Sequence, residues 1–234
     1  DKTIAACQPK IKDYNNKNYF EYAGASGGFI DKYGYPFCRG RIFEVLEKDE
    51  NQHNSIEEIF WASGASLFIR SKEYHSIGGL DEFFFAHMEE IDFCWRAKNF
   101  GHKVMYTPHG HAWHLGGGTL PKTSSRKTFL NARNSLATIL KNFPGRQVWY
   151  KFYFRLLLDG VWAMRALTQG DFATIGAIFK AHWAIFFSLG YWIKARRVYK
   201  DLDRIPGMHT GYTSRSMVWQ HFIKGVKKFG DLPK

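Results

Sequence analysis

The sequence predicts an α/β layer in front and an all-helical region behind. Three observations carry this. Short apolar runs alternate with helical periodicity over roughly the first 110 residues. From about residue 124 onward the pattern is helical, in three long stretches. The charge changes sign at the same place: residues 1–120 hold 13 Lys/Arg against 16 Asp/Glu, and residues 121–234 hold 20 against 5.

Taken in order, residues 4–8 form an apolar run stopped by Pro9 and read as a strand. Residues 21–41 mix glycine with aromatics, which is loop chemistry with several positions free to take positive φ. The polar stretch 47–58 reads as an exposed loop, and 60–70 as a buried strand. Ser71 is placed to cap a short helix that Gly78 and Gly79 end. A helix follows from about Met88 to Asn99, with Ile91 and Trp95 at i, i+4 and Gly101 as its stop. Residues 103–107 read as a strand closed by Pro108. Ser124 or Ser125 can cap a long helix to Asn142, whose apolar stripe is Phe129, Ala132, Leu136, Ile139 and Phe143. Pro144 and Gly145 end it. Helical stretches over about 147–168 and 172–199 come next, split by Gly170 and Asp171. The longest uncharged run, 181–193, is shorter than the roughly 20 residues a bilayer core requires.

The length of 234 residues allows one or two domains with a full core. The three cysteines (Cys7, Cys38 and Cys94) are odd in number and form no C-x-x-C pair, which points to reduced thiols and a cytoplasmic protein. Asp1-Lys2-Thr3 begins no signal-peptide pattern, and the first residue is not Met. The basic back half calls for an anionic partner, membrane surface or nucleic acid.

The chemistry-bearing residues cluster between 81 and 118. Glu89, Glu90 and Asp92 fall where a helix begins. Unpaired N–H groups there favour ionised carboxylates, and an ionised carboxylate beside a hydroxyl can act as a general base. Acids at a helix start also merely complement the dipole. Neighbouring residues diverge by about 100° on a helix, so one acid is expected to meet substrate while the others hold the loop or face solvent. His109, His111 and His114 lie within six residues. Their spacing is not that of a zinc site; one of them can serve as a ligand, and a polar strand end explains His109 and His111. Gly116, Gly117 and Gly118 can bring backbone N–H groups to a diphosphate or form a hinge. Asp201-Leu202-Asp203 spells D-x-D but follows a basic helix rather than an apolar strand, and reads as solvated surface.

Four segments in order give a more specific reading: Trp-Ala-Ser-Gly-Ala at 61–65, Gly-Gly-Leu-Asp-Glu-Phe-Phe-Phe at 78–85, Glu-Glu-Ile-Asp-Phe-Cys-Trp-Arg at 89–96 and His-Leu-Gly-Gly-Gly at 114–118. Together they resemble the second half of a family 2 inverting glycosyltransferase of the GT-A fold. The opening segment and Gly-Tyr-Pro-Phe-Cys-Arg-Gly-Arg at 34–41 resemble its bacterial rhamnosyltransferase-like branch. The resemblance implies the acceptor-side half of a GT-A mixed-sheet domain over 1–143, followed by a basic, aromatic-rich helical region over 144–234. It places the base on Glu90, where the family more often has Asp, with Glu89 and Asp92 supporting the loop. Trp61, Gly64 and Ala65 fall on the acceptor border, Gly116, Gly117 and Gly118 at the diphosphate, and His114 on the metal, Mn2+ or Mg2+. The implied partners are a nucleotide-sugar donor and a glycan or lipid-linked acceptor in cell-surface polysaccharide synthesis. The family's nucleotide-binding first half has no counterpart in these residues, so the chain is expected to need a donor site from elsewhere. A non-catalytic sugar-binding or scaffold protein on a GT-A half-fold is the alternative. A nucleic-acid module is a further one, although no nucleic-acid motif accompanies the charge and no nucleic acid is expected as a partner.

Over 146–200 aromatics alternate with Lys and Arg, a composition suited to an anionic membrane surface or to packing on another subunit. The corresponding expectation is a cytoplasmic protein peripherally associated with the inner face of the cytoplasmic membrane.

Overall fold

The computed structural model describes residues 1–116, 124–197 and 209–233. By compactness the chain divides into two units. The first comprises Asp1–Leu80, Phe93–Gly116 and Ile205–Lys234; the second comprises Asp81–Asp92 and Gly117–Arg204. The architecture is mixed α/β, as the sequence predicts, with the sheets in one unit and the long helices in the other. The division differs from a single cut after residue 143. The helix over 125–142 packs with the helices that follow it, and the C-terminal segment returns to the sheets.

The strands are β1 (Ile4–Asp13), β2 (Gly28–Asp31), β3 (Pro36–Cys38), β4 (Arg41–Ile42), β5 (Val45–Leu46), β6 (Glu57–Ile59), β7 (Phe68–Ile69), β8 (Lys103–His114) and β9 (Tyr212–Thr213). Among the described residues they form a sheet ordered β6-β8-β1-β7 and another ordered β5-β4-β3-β2-β9. The central β1·β8 pair is parallel, with β6 and β7 antiparallel on either edge.

Both central strands outrun the prolines expected to stop them: β1 passes Pro9 and β8 passes Pro108. Pro cannot donate to a ladder, and the register slips at that point, from Pro9↔Thr107 to Lys10↔His111. Residues 108–110 form the resulting bulge, and pairing then resumes as far as Asp13↔His114. The bulge thus carries His114 to the far end of the sheet.

The expected strand over 60–70 is replaced by a buried segment (Phe60 to Ser63), a one-turn helix (Gly64–Ser66) and the short β7. Ser63 breaks the run because its side chain caps the turn, accepting from the Ala65 amide. The polar stretch 47–58 is not wholly an exposed loop: it supplies β6 and buries His53. The glycine- and aromatic-rich stretch 21–41 contains β2 and β3. There Gly28 is obligatory, because a Cβ on it would lie 2.1 Å from the Trp61 ring.

Helix α1 (Ser71–Ile77) starts after Arg70 rather than at a Ser71 cap and ends at Gly78, left-handed at φ 90. Helix α2 (Glu89–Asn99) begins in the second unit and continues into the first, where Trp95 is fully buried with its ring edge-on to Phe60 at 5.2 Å. Phe37, Ile42 and Met217 form a core cluster beside the second sheet, joined by Phe29 and Phe229. The C-terminal segment is tied in where the Met217 amide donates to Asp31 and the Phe229 amide to Glu47.

In the second unit α3 (Ser125–Asn142) packs against α4 (Gln147–Thr168), α5 (Phe172–Phe187) and α6 (Leu189–Arg197). From Asn134 to Asn142 every residue of α3 is buried. The single helix expected over 172–199 is two, bent by 58° at Ser188. Its hydroxyl donates to the Ala184 carbonyl and accepts from the Trp192 indole, which stabilises the break. Among the described residues no single helix is long and apolar enough to cross a membrane.

Candidate functional site

The sequence before α2 folds into a strained turn. Asp81 caps the turn Glu82–Phe84 by accepting from the Phe83 amide. Phe85, His87 and Met88 then take φ of 64, 68 and 73, a region that bulky residues rarely occupy. Such backbone persists only where its surroundings over-determine it. Here α3 does so. Asn134 Nδ2 donates to the carbonyls of Phe84, Ala86 and His87 at 3.0, 2.8 and 2.7 Å. Arg133 Nη2 donates to those of Phe83 and Phe84. From α6, Tyr191 donates to Asp81 and its ring stacks on Phe83.

This turn delivers the three acids to the first turn of α2 in distinct settings. Asp92 is fully buried and accepts from Lys141 Nζ at 2.9 Å and Asn142 Nδ2 at 2.8 Å. Lys141 also reaches Asp81 at 2.7 Å, so one ammonium ties both ends of the 81–92 segment to α3. Burial would push the Asp81 carboxyl up, but the Lys141 hydrogen bond and charge hold it below its ordinary value. Glu89 and Glu90 are half-buried. Burial raises the Glu89 carboxyl above its ordinary value, and its Oε2 is enclosed without a hydrogen-bond partner among the described residues. A carboxylate with its pKa raised by burial is a stronger base once ionised and can accept a proton from a hydroxyl.

In the first unit, His114 ends β8 with its buried Nδ1 3.1 Å from Oε2 of Glu21. Glu21 is buried and also accepts from the Ala23 amide. A Cβ on Gly116 would come within 2.7 Å of Glu21 Oε1, so a side chain there would displace the end of the Glu21 carboxylate. A carboxylate hydrogen-bonded to Nδ1 is the usual support for a histidine that offers Nε2 to a metal; here the two groups are close but do not make that bond. These residues therefore fit a divalent cation as the source of one ligand. Among the described residues, no group of three or more His, Cys, Asp or Glu side chains could hold a metal ion. Gly117 and Gly118 lie outside the described residues, as does the Asp201–Asp203 motif.

Within the 61–65 segment, Trp61 is buried and its indole N–H donates to the Phe29 carbonyl. Gly64 is exposed and Ala65 half-buried. The Ser63 amide donates to Gln8, which fixes this turn to β1. At the bulge, His109 and His111 line a polar hollow of about 410 Å³ with Lys10, Lys12, Asp49 and Asn54.

Sequence reasoning missed Glu21, Arg133, Asn134 and Lys141. Glu21 stands alone in a glycine-rich loop, without a pattern to single it out. The signal for Asn134 and Lys141 is their i, i+7 spacing along the buried side of α3, where apolar residues belong.

The curated relatives found are N-acetylglucosaminyl-diphospho-decaprenol L-rhamnosyltransferases of two Mycobacterium tuberculosis strains (CDC 1551 / Oshkosh and ATCC 25618 / H37Rv). Each is 22% identical over 131 residues, or 56% of this chain. The chain is similar to glycosyltransferases. The match spans 42% of the length of those relatives. A solved structure of GalNAc-T7 with UDP, GalNAc and Mn2+ aligns with 82% of this chain and 36% of its own at 13% identity, with a TM-score of 0.44. No family model matches the sequence.

Proposed function

We propose that this chain forms the acceptor side of an inverting GT-A glycosyltransferase, which moves a sugar from a nucleotide-sugar donor to a hydroxyl of a glycan or lipid-linked acceptor. The observation that carries the reading is the strained turn 81–88, gripped by Asn134, which holds Glu89 and Glu90 at the start of α2. The similarity to rhamnosyltransferases named for a lipid-diphosphate-linked sugar supports both the reaction class and a lipid-linked acceptor.

In this mechanism Glu90 takes the proton of the acceptor hydroxyl as its oxygen bonds to the anomeric carbon. The bond from that carbon to the nucleotide diphosphate breaks on the opposite face, which inverts the centre. Asp92, locked by Lys141 and Asn142, keeps the helix start in place. A bound divalent cation would supply Lewis-acid stabilisation of the departing diphosphate, and His114, whose Nδ1 lies 3.1 Å from Glu21, would be one ligand.

Glu90→Gln in the full-length protein tests the reading. Transfer should fall by about 10²–10⁴-fold, the usual worth of a general base, with donor-nucleotide affinity unchanged. Undiminished transfer would reject Glu90 as the base. A full-length protein that never transfers sugar would favour the scaffold alternative.

A further inference from the structure

Helix α4 is built inside out. Its buried positions include Lys151, Arg155 and Asp159, at i, i+4 and i+8. Arg155 pairs with Asp159 at 3.0 Å, His182 of α5 approaches Asp159 at 3.3 Å, and the Lys151 ammonium lies 4.1 Å from the centroid of the Phe143 ring. Its outward positions are apolar: Tyr150, Tyr153, Leu157, Val161 and Met164 are between 56% and 70% exposed. A helix that faces water shows the reverse order. Helix α5 repeats the outward half of this pattern, with Phe172, Phe179, Phe186 and Phe187 between 63% and 79% exposed. Trp183 stacks on Phe187 and meets Phe179 and Phe186 edge-on, so these rings form one exposed aromatic group. Exposed apolar side chains grouped in this way mark a surface that meets a membrane or another protein.

Charge selects between the two. From Ser125 to Arg197 there are twelve Lys/Arg and two acids, Asp159 and Asp171, of which Asp159 is buried. Arg146, Arg165, Lys180, Lys194 and Arg197 are exposed. Aromatic and aliphatic side chains outward, basic residues beside them and almost no acid are the features of a surface that lies in the headgroup region of an anionic bilayer. Helices α5 and α6 together have the length and apolar composition of a span broken by a 58° bend, which also fits a region that enters an apolar phase.

We propose that the outward faces of α4 and α5 dock on a membrane carrying anionic headgroups, with the aromatic group of α5 inserted at the level of the headgroups. This goes beyond sugar transfer and stands without it, since vesicle binding is measured with no donor, acceptor or metal present.

The test is flotation of the full chain with phosphatidylcholine vesicles, with and without phosphatidylglycerol, at low and high salt. The wild type should float with the anionic vesicles, do so less at high salt, and blue-shift its tryptophan emission. Leu157→Glu/Phe187→Glu should reduce the partition by about tenfold or more, since it replaces two exposed apolar side chains by charges. Arg165→Glu/Lys180→Glu should reduce binding to anionic vesicles alone. Both pairs are solvent-exposed, and circular dichroism checks that the helices persist. Three results would each overturn the proposal. One is a wild type that stays unfloated, another is equal binding to neutral vesicles. The third is a self-association seen by size exclusion that Leu157→Glu/Phe187→Glu abolishes while leaving vesicle binding unchanged, which would assign the face to a second copy.

Discussion

Glu89 carries the cost of its setting in its carboxyl group. Burial lifts its pKa above the ordinary 4.5, so the native state prefers the protonated form more than the unfolded chain does. The sign follows from linkage: the stabilising contribution is complete below the unfolded value and is lost as pH rises through the raised native value. Glu89→Gln keeps the shape and cannot ionise. The variant should match or exceed the parent in urea midpoint near neutral pH, with that difference shrinking as pH falls through the raised native value and gone below the ordinary glutamate value. Parallel midpoint curves across that range would show that Glu89 ionises as freely in the native state as in the unfolded chain. At this scale the sequence was informative about which acids gather at a helix start. It could not separate their settings, because Asp92 is buried by Lys141, 49 residues away in the chain. No local pattern encodes such a pairing.

At the scale of elements, α3 acts as the mould for the turn that precedes α2. The three carbonyls on Asn134 belong to residues flanking or adopting left-handed backbone, so the strain and its restraint coincide. Asn134→Leu keeps the number of side-chain heavy atoms and removes the donors. It should destabilise the second unit by about 2–3 kcal/mol, the cost of leaving buried carbonyls unmet. On the proposed function it should also lower kcat of the full-length protein more than it raises the acceptor KM, because the turn that precedes Glu89 and Glu90 can relax. A loss of stability with kcat intact would reduce Asn134 to a packing residue. Helix boundaries were well marked by their glycines and prolines, and α3 and α4 fall where periodicity puts them. The strands were not, since Pro9 and Pro108 mark a shared bulge rather than two ends. Only the pairing of β1 with β8 distinguishes those readings, and pairing is a property of two distant segments.

For the whole molecule, the connectivity of the first unit makes the chain's two ends interdependent. Residues 209–233 add β9 beside β2 and place Met217, 1% exposed, against Phe37 and Ile42. The sequence offered little sign of this, because the segment is short, mixed in composition and separated from the sheets by the helices of the second unit. Met217→Ala deletes a buried thioether and should cost the first unit about 2–5 kcal/mol. The loss should stay local to the unit in which the cavity forms. Hydrogen exchange should quicken in β2, β3 and β4, whose amides depend on that cluster, while amides of α3 and α5 keep their protection. A uniform loss of protection would mean that the two compact units unfold as one cooperative body. Protection retained everywhere would mean that Phe29 and Phe229, which already flank the cluster, close over the space left by the methionine.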